Sequence, residues 1–255
     1  MKRRFAMSTL LEAKEVTKIY GKAGHPSLNK VSFCVAEGEF IGIMGASGSG
    51  KTTLLNVLST IDTPTSGEIW INGVNLKNLN HTSAADFRKD NLGFIFQEYF
   101  LLDSLTIREN ISVPLTLQKL SPEKIENMVR SLAERFGIAS QLGKYPHELS
   151  GGQRQRASAA RAIVKRPSIL FADEPTGALD SSSATELLNT LYEANQELHT
   201  TILMVTHDAY AASFASRILI FKDGCIIKEL AKHASNRRDF YEAIAAEVAR
   251  LDTER

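Results

Sequence analysis

The sequence predicts an α/β fold built around a parallel β-sheet, and three parts of the chain carry that prediction. An apolar run, Phe40–Met44, leads through a Gly/Ser loop into a segment with helical periodicity, Thr53–Ile61. Further along, the helical segment Ser183–Leu198 separates two apolar strand candidates, Ser168–Ala172 and Thr201–Val205. Strand, helix and strand joined by short connections are typical of a parallel sheet whose faces are covered by helices.

The remaining elements of the first hundred residues are strands and turns. Leu10–Tyr20 is rich in strand-forming residues, and Thr63–Gly67 is a cluster of turn residues. Glu68–Gly73 alternates in polarity and ends in a turn, which predicts a short strand. Leu92–Phe96 is another apolar strand candidate.

The middle of the chain has a different texture. From about Ser104 to Lys165 the periodicity becomes helical, as in Lys124–Phe136, which predicts a helical insertion between strands. After the last buried strand, Arg217–Phe221 and Cys225–Ile227 predict a hairpin. The tail from Arg238 predicts a helix, with these apolar residues at helical spacing: Phe240, Ile244, Val248 and Leu251. Packing of this stripe on its own domain is favoured over a role as a docking helix.

Composition narrows the class of protein. The chain has 255 residues, of which 43% are hydrophobic and 23% charged, as in an ordinary globular protein. The formal net charge is +1, so no bulk electrostatic affinity for nucleic acid is expected. The chain has no apolar run of the roughly 18 residues that a membrane-spanning helix needs, so a membrane role would require a spanning partner.

The cysteines and the start of the sequence give weaker information. Cys34 and Cys225 are far apart and form no Cys-x-x-Cys pair, which fits a reducing compartment and disfavours a thiolate zinc site. The first residues are basic but lack the apolar region of a signal peptide, and both Met1 and Met7 remain open as the initiator.

The residues Gly45–Thr52 match the phosphate-loop pattern G-x-x-x-x-G-K-[ST] in full. Glycines allow the backbone to wrap around a phosphate, and the N–H groups at the following helix start attract an anion. Lys51 supplies a positive charge, and Thr52 a hydroxyl for Mg²⁺. The alternative, a plain Gly/Ser turn, is disfavoured by the apolar strand before the loop and the helix after it.

Two acids follow an apolar strand at Asp173 and Glu174. Carboxylates at the carboxyl edge of a parallel sheet lie where such folds bind ligands. Asp173 is expected to complete the shell of a metal, and Glu174 to polarise an attacking water. Two acids after a strand are most often a solvated turn, but an upstream phosphate loop needs a partner of this kind.

A second anion site is predicted at Leu149–Gln153, where Ser-Gly-Gly precedes a helical segment. An ordinary capped helix is the alternative. With this segment the chain resembles the ATP-binding-cassette (ABC) ATPases, whose signature sequence it matches. Gln97 matches that family's Q-loop, Gly177–Asp180 its D-loop, His207 its switch histidine.

Tyr20 matches the aromatic residue that stacks on adenine in that family. Taken alone, Tyr20 would be core packing and His207 a polar strand end, and only their order along the chain favours the functional interpretation.

The resemblance covers residues 10–230 and implies a P-loop fold with a mixed central sheet, an antiparallel β subdomain and a helical subdomain at about 100–165. Residues 231–255 would form a C-terminal helical tail. The implied catalytic residues are Lys51, Gln97, Glu174 and His207, and the implied metal ligands are Thr52, Gln97 and Asp173. The implied nucleotide-binding residues are Tyr20, Gly45, Ala46, Ser47, Gly48, Ser49, Gly50, Lys51, Thr52, Thr53, Ser150, Gly151, Gly152, Gln153 and Asp180.

The resemblance also implies ATP and Mg²⁺ as cofactors and a second copy packed head to tail. ATP would lie between the phosphate loop of one copy and Ser150–Gly152 of the other. A membrane permease would respond to the opening of this sandwich, which places the chain peripherally on the cytoplasmic face of a bacterial membrane. Nucleic acid is not an expected partner.

Four segments indicate which branch of the family the chain resembles. Ala172–Asp180 and Leu92–Gln97 are similar to the lipoprotein-release and macrolide-export ATPases. Phe94–Thr106 and Ala157–Ala162 resemble more closely the Bce-type ATPases of bacitracin resistance. That branch implies resistance to cell-wall-directed peptides, a large permease and, through it, a sensor histidine kinase.

Other functional classes remain as alternatives. A soluble cassette protein of translation or DNA repair is disfavoured, because the chain carries a single phosphate loop and neither long coiled coils nor zinc insertions. A regulatory ATP-binding module without turnover is disfavoured by Glu174. The apolar stretch Tyr99–Leu102 leaves two possibilities, burial in the helical insertion or a socket for a permease helix.

Overall fold

The strands form two sheets in the computed structural model, which describes residues 8–21, 24–232 and 236–253. The four-stranded antiparallel sheet has the order β2 (Leu28–Ala36), β1 (Thr9–Lys18), β4 (Ser66–Ile71) and β5 (Val74–Asn75). The six-stranded sheet has the order β10 (Cys225–Ala231), β9 (Arg217–Lys222), β3 (Phe40–Met44), β8 (Thr201–Thr206), β7 (Ile169–Asp173) and β6 (Leu92–Ile95). Its strands are parallel except for β10, which pairs antiparallel with β9.

Helices cover both faces of the six-stranded sheet. They are α1 (Lys51–Leu58), α2 (His81–Asn91), α3 (Ile107–Leu117), α4 (Pro122–Arg135), α5 (Gly151–Ile163), α6 (Ser181–Leu198), α7 (Ala209–Ala212) and α8 (Arg237–Thr253). Within the described ranges, no helix is both long and apolar enough to cross a bilayer.

The alternation of side chains along the central strands creates two hydrophobic cores. In β3, Phe40 and Met44 face the core shared with α3–α6 and α8, whereas Ile41 and Ile43 face the core shared with α1 and the antiparallel sheet. The central strands are therefore buried on both faces, which is why their sequences are continuous apolar runs rather than alternating ones.

The predicted elements are present, and the structure differs from the prediction at the start of α1 and in the additional helix α2. The predicted strands and the hairpin are confirmed, and α1 begins at Lys51, two residues earlier than predicted. Its start is set by Gly50, whose positive φ of 106° turns the loop directly into the helix. The helix α2 was not predicted because it buries one apolar side chain, Phe87, and its start is fixed instead by a capping box between Asn80 and Ser83.

The helical insertion predicted between strands consists of α3, α4 and α5. A buried amide fixes the loop that enters it: Asn110 accepts a hydrogen bond from the Leu102 N–H at 2.8 Å and donates to the Leu102 and Leu105 carbonyls. A capping box between Thr106 and Glu109 then starts α3. The loop before α3 is thus held in a defined conformation.

The predicted tail helix is α8, and it packs on the rest of the chain. Phe240 and Ile244 are 3% and 0% exposed in the larger core. Arg237 lies over the Phe214 ring, 4.4 Å from its centroid, and Glu247 pairs with Lys228 at 2.6 Å. The predicted intramolecular packing of the tail is confirmed for these residues.

Candidate functional site

Three polar segments meet at the carboxyl edge of the six-stranded sheet because their strands are neighbours in register. Met44 of β3 is paired with Thr206 of β8, and Val205 of β8 with Asp173 of β7. The loop after Met44, the acids at the end of β7 and the histidine after Thr206 therefore emerge side by side. Ligands of parallel sheets bind at this edge.

The loop Gly45–Thr52 approaches neighbouring backbone too closely for side chains at two positions. A Cβ on Gly45 would lie 2.2 Å from the Phe221 carbonyl oxygen. A Cβ on Gly50 would lie 2.3 Å from the Ser27 carbonyl oxygen, and Gly50 also has a left-handed φ. The glycine pattern of the motif is therefore required by packing around the loop as well as by its turn.

Lys51 lies folded across the start of its own loop. Its Nζ donates to the carbonyls of Gly45 and Ala46, both at 2.8 Å, and the residue is 8% exposed. Burial lowers the pKa of Lys51, while the charges of Glu174 and Asp173 act to raise it. An ammonium group has three N–H donors, so two carbonyls leave one for the cleft.

Asp173 and Glu174 line the same cleft as Lys51, and His207 lies beside Glu174. Burial, followed by the neighbouring charge of Glu174, raises the pKa of Asp173, against the charge of Lys51 and a hydrogen bond from Thr52. Glu174 has a left-handed φ of 47°, and its N–H donates to the Val205 carbonyl. Its carboxylate Oε1 lies 2.9 Å from Nδ1 of His207.

A cleft of about 570 Å³ joins these groups. Its walls include Gln97, whose side chain also packs within about 3.1 Å of the position that a Cβ on Gly177 would take. The lining residues are Ser27, Ser47, Gly48, Gly50, Lys51, Thr52, Thr53, Gln97, Asp173, Glu174 and His207. The structure thus brings together the predicted phosphate loop, both acids, Gln97 and His207.

Comparison with known proteins assigns the chain to a family. The family model described as "ABC transporter" matches residues 28–177, more than half of the chain, including the loop, Gln97 and both acids. The chain belongs to the ABC transporter ATPase family. It is an ATP-binding ATPase subunit, as its resemblance to the family implied.

Similar proteins extend the comparison over nearly the whole ABC ATPase. It is 50% identical over 237 residues to the bacitracin export ATP-binding protein BceA of Halalkalibacterium halodurans, covering 92% of this chain and 94% of that one. It is 48% identical to the ABC transporter ATP-binding protein YxdL of Bacillus subtilis, covering 93% of each. A dimeric structure of the cassette MJ0796 bound to ADP and Pi superposes with a TM-score of 0.80 at 36% identity, covering 87% of this chain and 98% of that one.

Two predicted nucleotide-binding segments lie away from the cleft walls of the same copy. Ser150 is the N-cap of α5 and forms a capping box with Gln153, so the ordinary capped helix is present. Asp180 caps α6 by accepting from the N–H groups of Ser182 and Ser183, and these hydrogen bonds lower the pKa of Asp180. The two segments touch, because a Cβ on Gly152 would lie 2.6 Å from Ser183 Oγ.

Tyr20 lies at the rim of the cleft in this ABC ATPase rather than in the core. The residue is 50% exposed, and the Thr53 side chain, which lines the cleft, acts to lower the pKa of the Tyr20 phenol. The core-packing alternative for Tyr20 is therefore wrong.

Several residues of the site were not predicted. The Ser27 carbonyl presses on Gly50, and the Phe221 carbonyl on Gly45. Lys18 and Asp62 surround Tyr20. None of these four belongs to a sequence motif, and they reach the site only through the pairing of β1, β3 and β9 with their neighbours.

Proposed function

We propose that this ABC ATPase binds ATP with Mg²⁺ in the described cleft, hydrolyses it in a head-to-tail dimer and drives a membrane permease in resistance to cell-wall-directed peptides such as bacitracin. The observation that carries the nucleotide site is the convergence of Gly45–Thr52, Asp173 and Glu174 at one sheet edge. The 50% sequence identity to the bacitracin export ATP-binding protein BceA supports the proposed role in peptide resistance.

The loop would hold the terminal phosphates. The loop leads through Gly50 into the start of α1 at Lys51, where N–H groups and the helix dipole favour an anion. Lys51 already holds two carbonyls, so its remaining N–H is the donor directed at phosphate oxygen. Lys51→Ala is expected to weaken ATP binding because this charge-assisted contact is lost.

The residues present fit Mg²⁺. Thr52, Gln97 and Asp173 line one cleft and supply hydroxyl, amide and carboxylate oxygens, which are the ligands that Mg²⁺ prefers. Asp173 and Glu174 place two acids beside the single ammonium of Lys51, so a divalent cation would balance the local charge. Bound Mg²⁺ would neutralise charge on the phosphates.

Glu174 is the proposed general base. Its carboxylate accepts the proton of a water that attacks the terminal phosphate. The contact between Glu174 Oε1 and His207 Nδ1 keeps the carboxylate at the cleft, and the other ring nitrogen of His207 is free to face the phosphate. Positioning of the water and charge stabilisation are the main catalytic contributions in phosphoryl transfer.

The dimer is proposed because this copy leaves part of the predicted nucleotide site unused. Ser150–Gln153 and Asp180 are positioned by helix caps at a surface of the chain and are absent from its own cleft walls as far as the described residues extend. The MJ0796 cassette, similar in fold, is dimeric in its ADP- and Pi-bound structure. In the proposed dimer these segments close the cleft of the other copy.

Mixing of two inactive variants tests the dimer and the site together. Ser150→Asp keeps a good N-cap residue but places a carboxylate against the phosphates. The matched control is Ser121→Asp, at the N-cap of α4. Lys51→Ala and Ser150→Asp chains are each expected to lack ATPase activity, and an equimolar mixture is expected to regain part of it, because a mixed dimer has one intact site. A mixture that stays inactive argues against the head-to-tail arrangement.

The permease contact is proposed at Phe100 and Leu102. Phe100 is 59% and Leu102 49% exposed, whereas Leu101 between them packs against the core. Burial in the helical insertion therefore applies to Leu101, and the permease socket is proposed for the exposed Phe100 and Leu102. Phe100→Ser with Leu102→Ser should abolish co-purification with a membrane fraction, while Ile227→Ser, at a 44% exposed position on β10, should not. Equal co-purification of both variants with the membrane fraction would contradict the proposed permease contact.

The substrate class is tested in cells. A strain lacking the ABC ATPase is expected to become sensitive to bacitracin and related peptides, and to lose peptide-induced signalling if a sensor kinase acts through the permease. Sensitivity to macrolides alone, or a defect in lipoprotein release, would favour the other branch of the family. Recovery of the chain from cells without any membrane partner would argue for a soluble cassette protein.

A further inference from the structure

An ion-pair network joins the end of β1 to the turn after α1. Lys18 Nζ donates to Asp62 Oδ1 at 2.6 Å and to the Thr63 carbonyl at 2.8 Å. The Tyr20 hydroxyl donates to the other carboxylate oxygen, Asp62 Oδ2, at 2.8 Å. Asp62 therefore holds both residues, one with each oxygen. The side chain of Lys18 is only 11% exposed, so this pair is shielded from solvent.

The network fixes the Tyr20 ring without covering it. Lys18 Nζ lies 4.8 Å from the ring centroid, and the ring is still half exposed. The turn itself is pinned, because the Thr63 N–H donates to Asp62 Oδ1 at 2.7 Å and the Thr65 N–H to the Thr17 carbonyl at 2.8 Å. An exposed aromatic ring held at its hydroxyl is a preorganised stacking surface, since less rotational freedom is lost on binding.

The protonation states support these hydrogen bonds at neutral pH. Burial acts to raise the pKa of Asp62, but hydrogen bonds from Lys18, Tyr20 and the Thr63 N–H hold it below its usual value. Burial and the carboxylate of Asp62 raise the pKa of the Tyr20 phenol. The carboxylate is therefore an ionised acceptor, and the phenol a protonated donor.

We propose that Asp62, with Lys18, is a positioning residue that orients the Tyr20 ring for stacking on the base of the nucleotide. This rests on the proposed function, in which Lys51 holds the phosphates and Tyr20 at the rim meets the base. Thr53 connects the two parts, since it lines the cleft and its side chain acts to lower the pKa of the Tyr20 phenol. Asp62 itself touches no part of the nucleotide.

Comparison of two ligands separates positioning from a general structural effect. ATP and inorganic tripolyphosphate share the phosphates, but only ATP has a base. Asp62→Asn is expected to weaken ATP binding about five- to tenfold, the scale of a partly lost base–aromatic stack. Tripolyphosphate binding is expected to be unchanged. Asp86→Asn, which alters an exposed carboxylate paired with Lys89, is the matched control and should change neither.

A double-mutant cycle ties the effect to Tyr20. Tyr20→Phe removes the hydroxyl but keeps the ring, so it should match Asp62→Asn, and the double variant should be no weaker than either. In steady-state kinetics each variant should raise KM for ATP and leave kcat unchanged.

In the Asp62 and Tyr20→Phe experiments, three outcomes overturn the proposal. They are an equal loss of ATP and tripolyphosphate affinity in Asp62→Asn, no loss of ATP affinity in that variant, and additive effects of the two substitutions. Unchanged ATP affinity in Tyr20→Ala would also overturn it but would leave the proposed ATPase intact. Unchanged tripolyphosphate affinity in Lys51→Ala would instead contradict the proposed function.

Discussion

Substitution of Gly50 by alanine tests how the phosphate loop is packed. Gly50 has a φ of 106°, and an added Cβ would lie 2.3 Å from the backbone carbonyl of Ser27. A left-handed conformation costs an L-residue about 1–2 kcal/mol. Overpacking against a group that cannot rotate away adds about 1–3 kcal/mol. The free energy of unfolding is therefore expected to fall by about 2–5 kcal/mol in Gly50→Ala.

Two other glycines supply matched controls with the same backbone handedness. Gly48, in the same loop, has a φ of 78°, and Gly73, in the β4–β5 turn, has a φ of 75°; neither has an atom within 4 Å of an added Cβ. Alanine at either position should cost only the conformational term, about 1–2 kcal/mol. The excess cost at Gly50 isolates the contact with Ser27.

Urea unfolding followed by circular dichroism, without nucleotide, measures these differences. Isothermal titration with ATP then separates stability from binding. Affinity should fall in both loop variants and be unchanged in Gly73→Ala. If Gly50→Ala is no less stable than Gly48→Ala, the loop is free to move away from Ser27, and the packing argument is refuted.

The remaining predictions concern chemistry, the core and pH. Glu174→Gln should retain ATP binding but slow ATP hydrolysis by roughly 10²–10⁴-fold, as expected for loss of a general base. The control variant Glu193→Gln, at an exposed position on α6, should hydrolyse ATP at the normal rate. Normal turnover in Glu174→Gln would show that Glu174 is not the general base. Phe136→Ala should lower the free energy of unfolding by about 3–5 kcal/mol, because Phe136 is 1% exposed at the end of α4. A much smaller loss would show that neighbouring side chains move to fill the cavity left by the ring. Because the pKa of Asp62 is lowered in the folded state, its carboxylate stabilises the fold fully above the ordinary carboxyl pKa of about 4, and this stabilisation is lost as pH falls through the folded pKa. The difference in free energy of unfolding between wild type and Asp62→Asn should therefore shrink as pH falls below about 4. A difference that stays constant with pH in urea titrations would contradict this expectation.

Local patterns predicted the parts of the site that are contiguous in sequence. The loop Gly45–Thr52 is recognisable because its glycines, lysine and threonine occur at fixed spacing between an apolar strand and a helix. Asp173 and Glu174 are recognisable because they end a continuous apolar run. The helix α2 escaped prediction because burial of one ring, Phe87, leaves almost no apolar periodicity.

The sequence by itself determined the chemistry, namely which residue types stand at the ends of which strands. Only the tertiary structure decided which of them meet. The order β3–β8–β7 brings His207 to Glu174, and the antiparallel sheet carries Tyr20 to Asp62 across 42 residues of chain. Such contacts depend on strand order and register between distant segments, and no local periodicity encodes either, because each strand satisfies its own pattern whichever neighbour it pairs with.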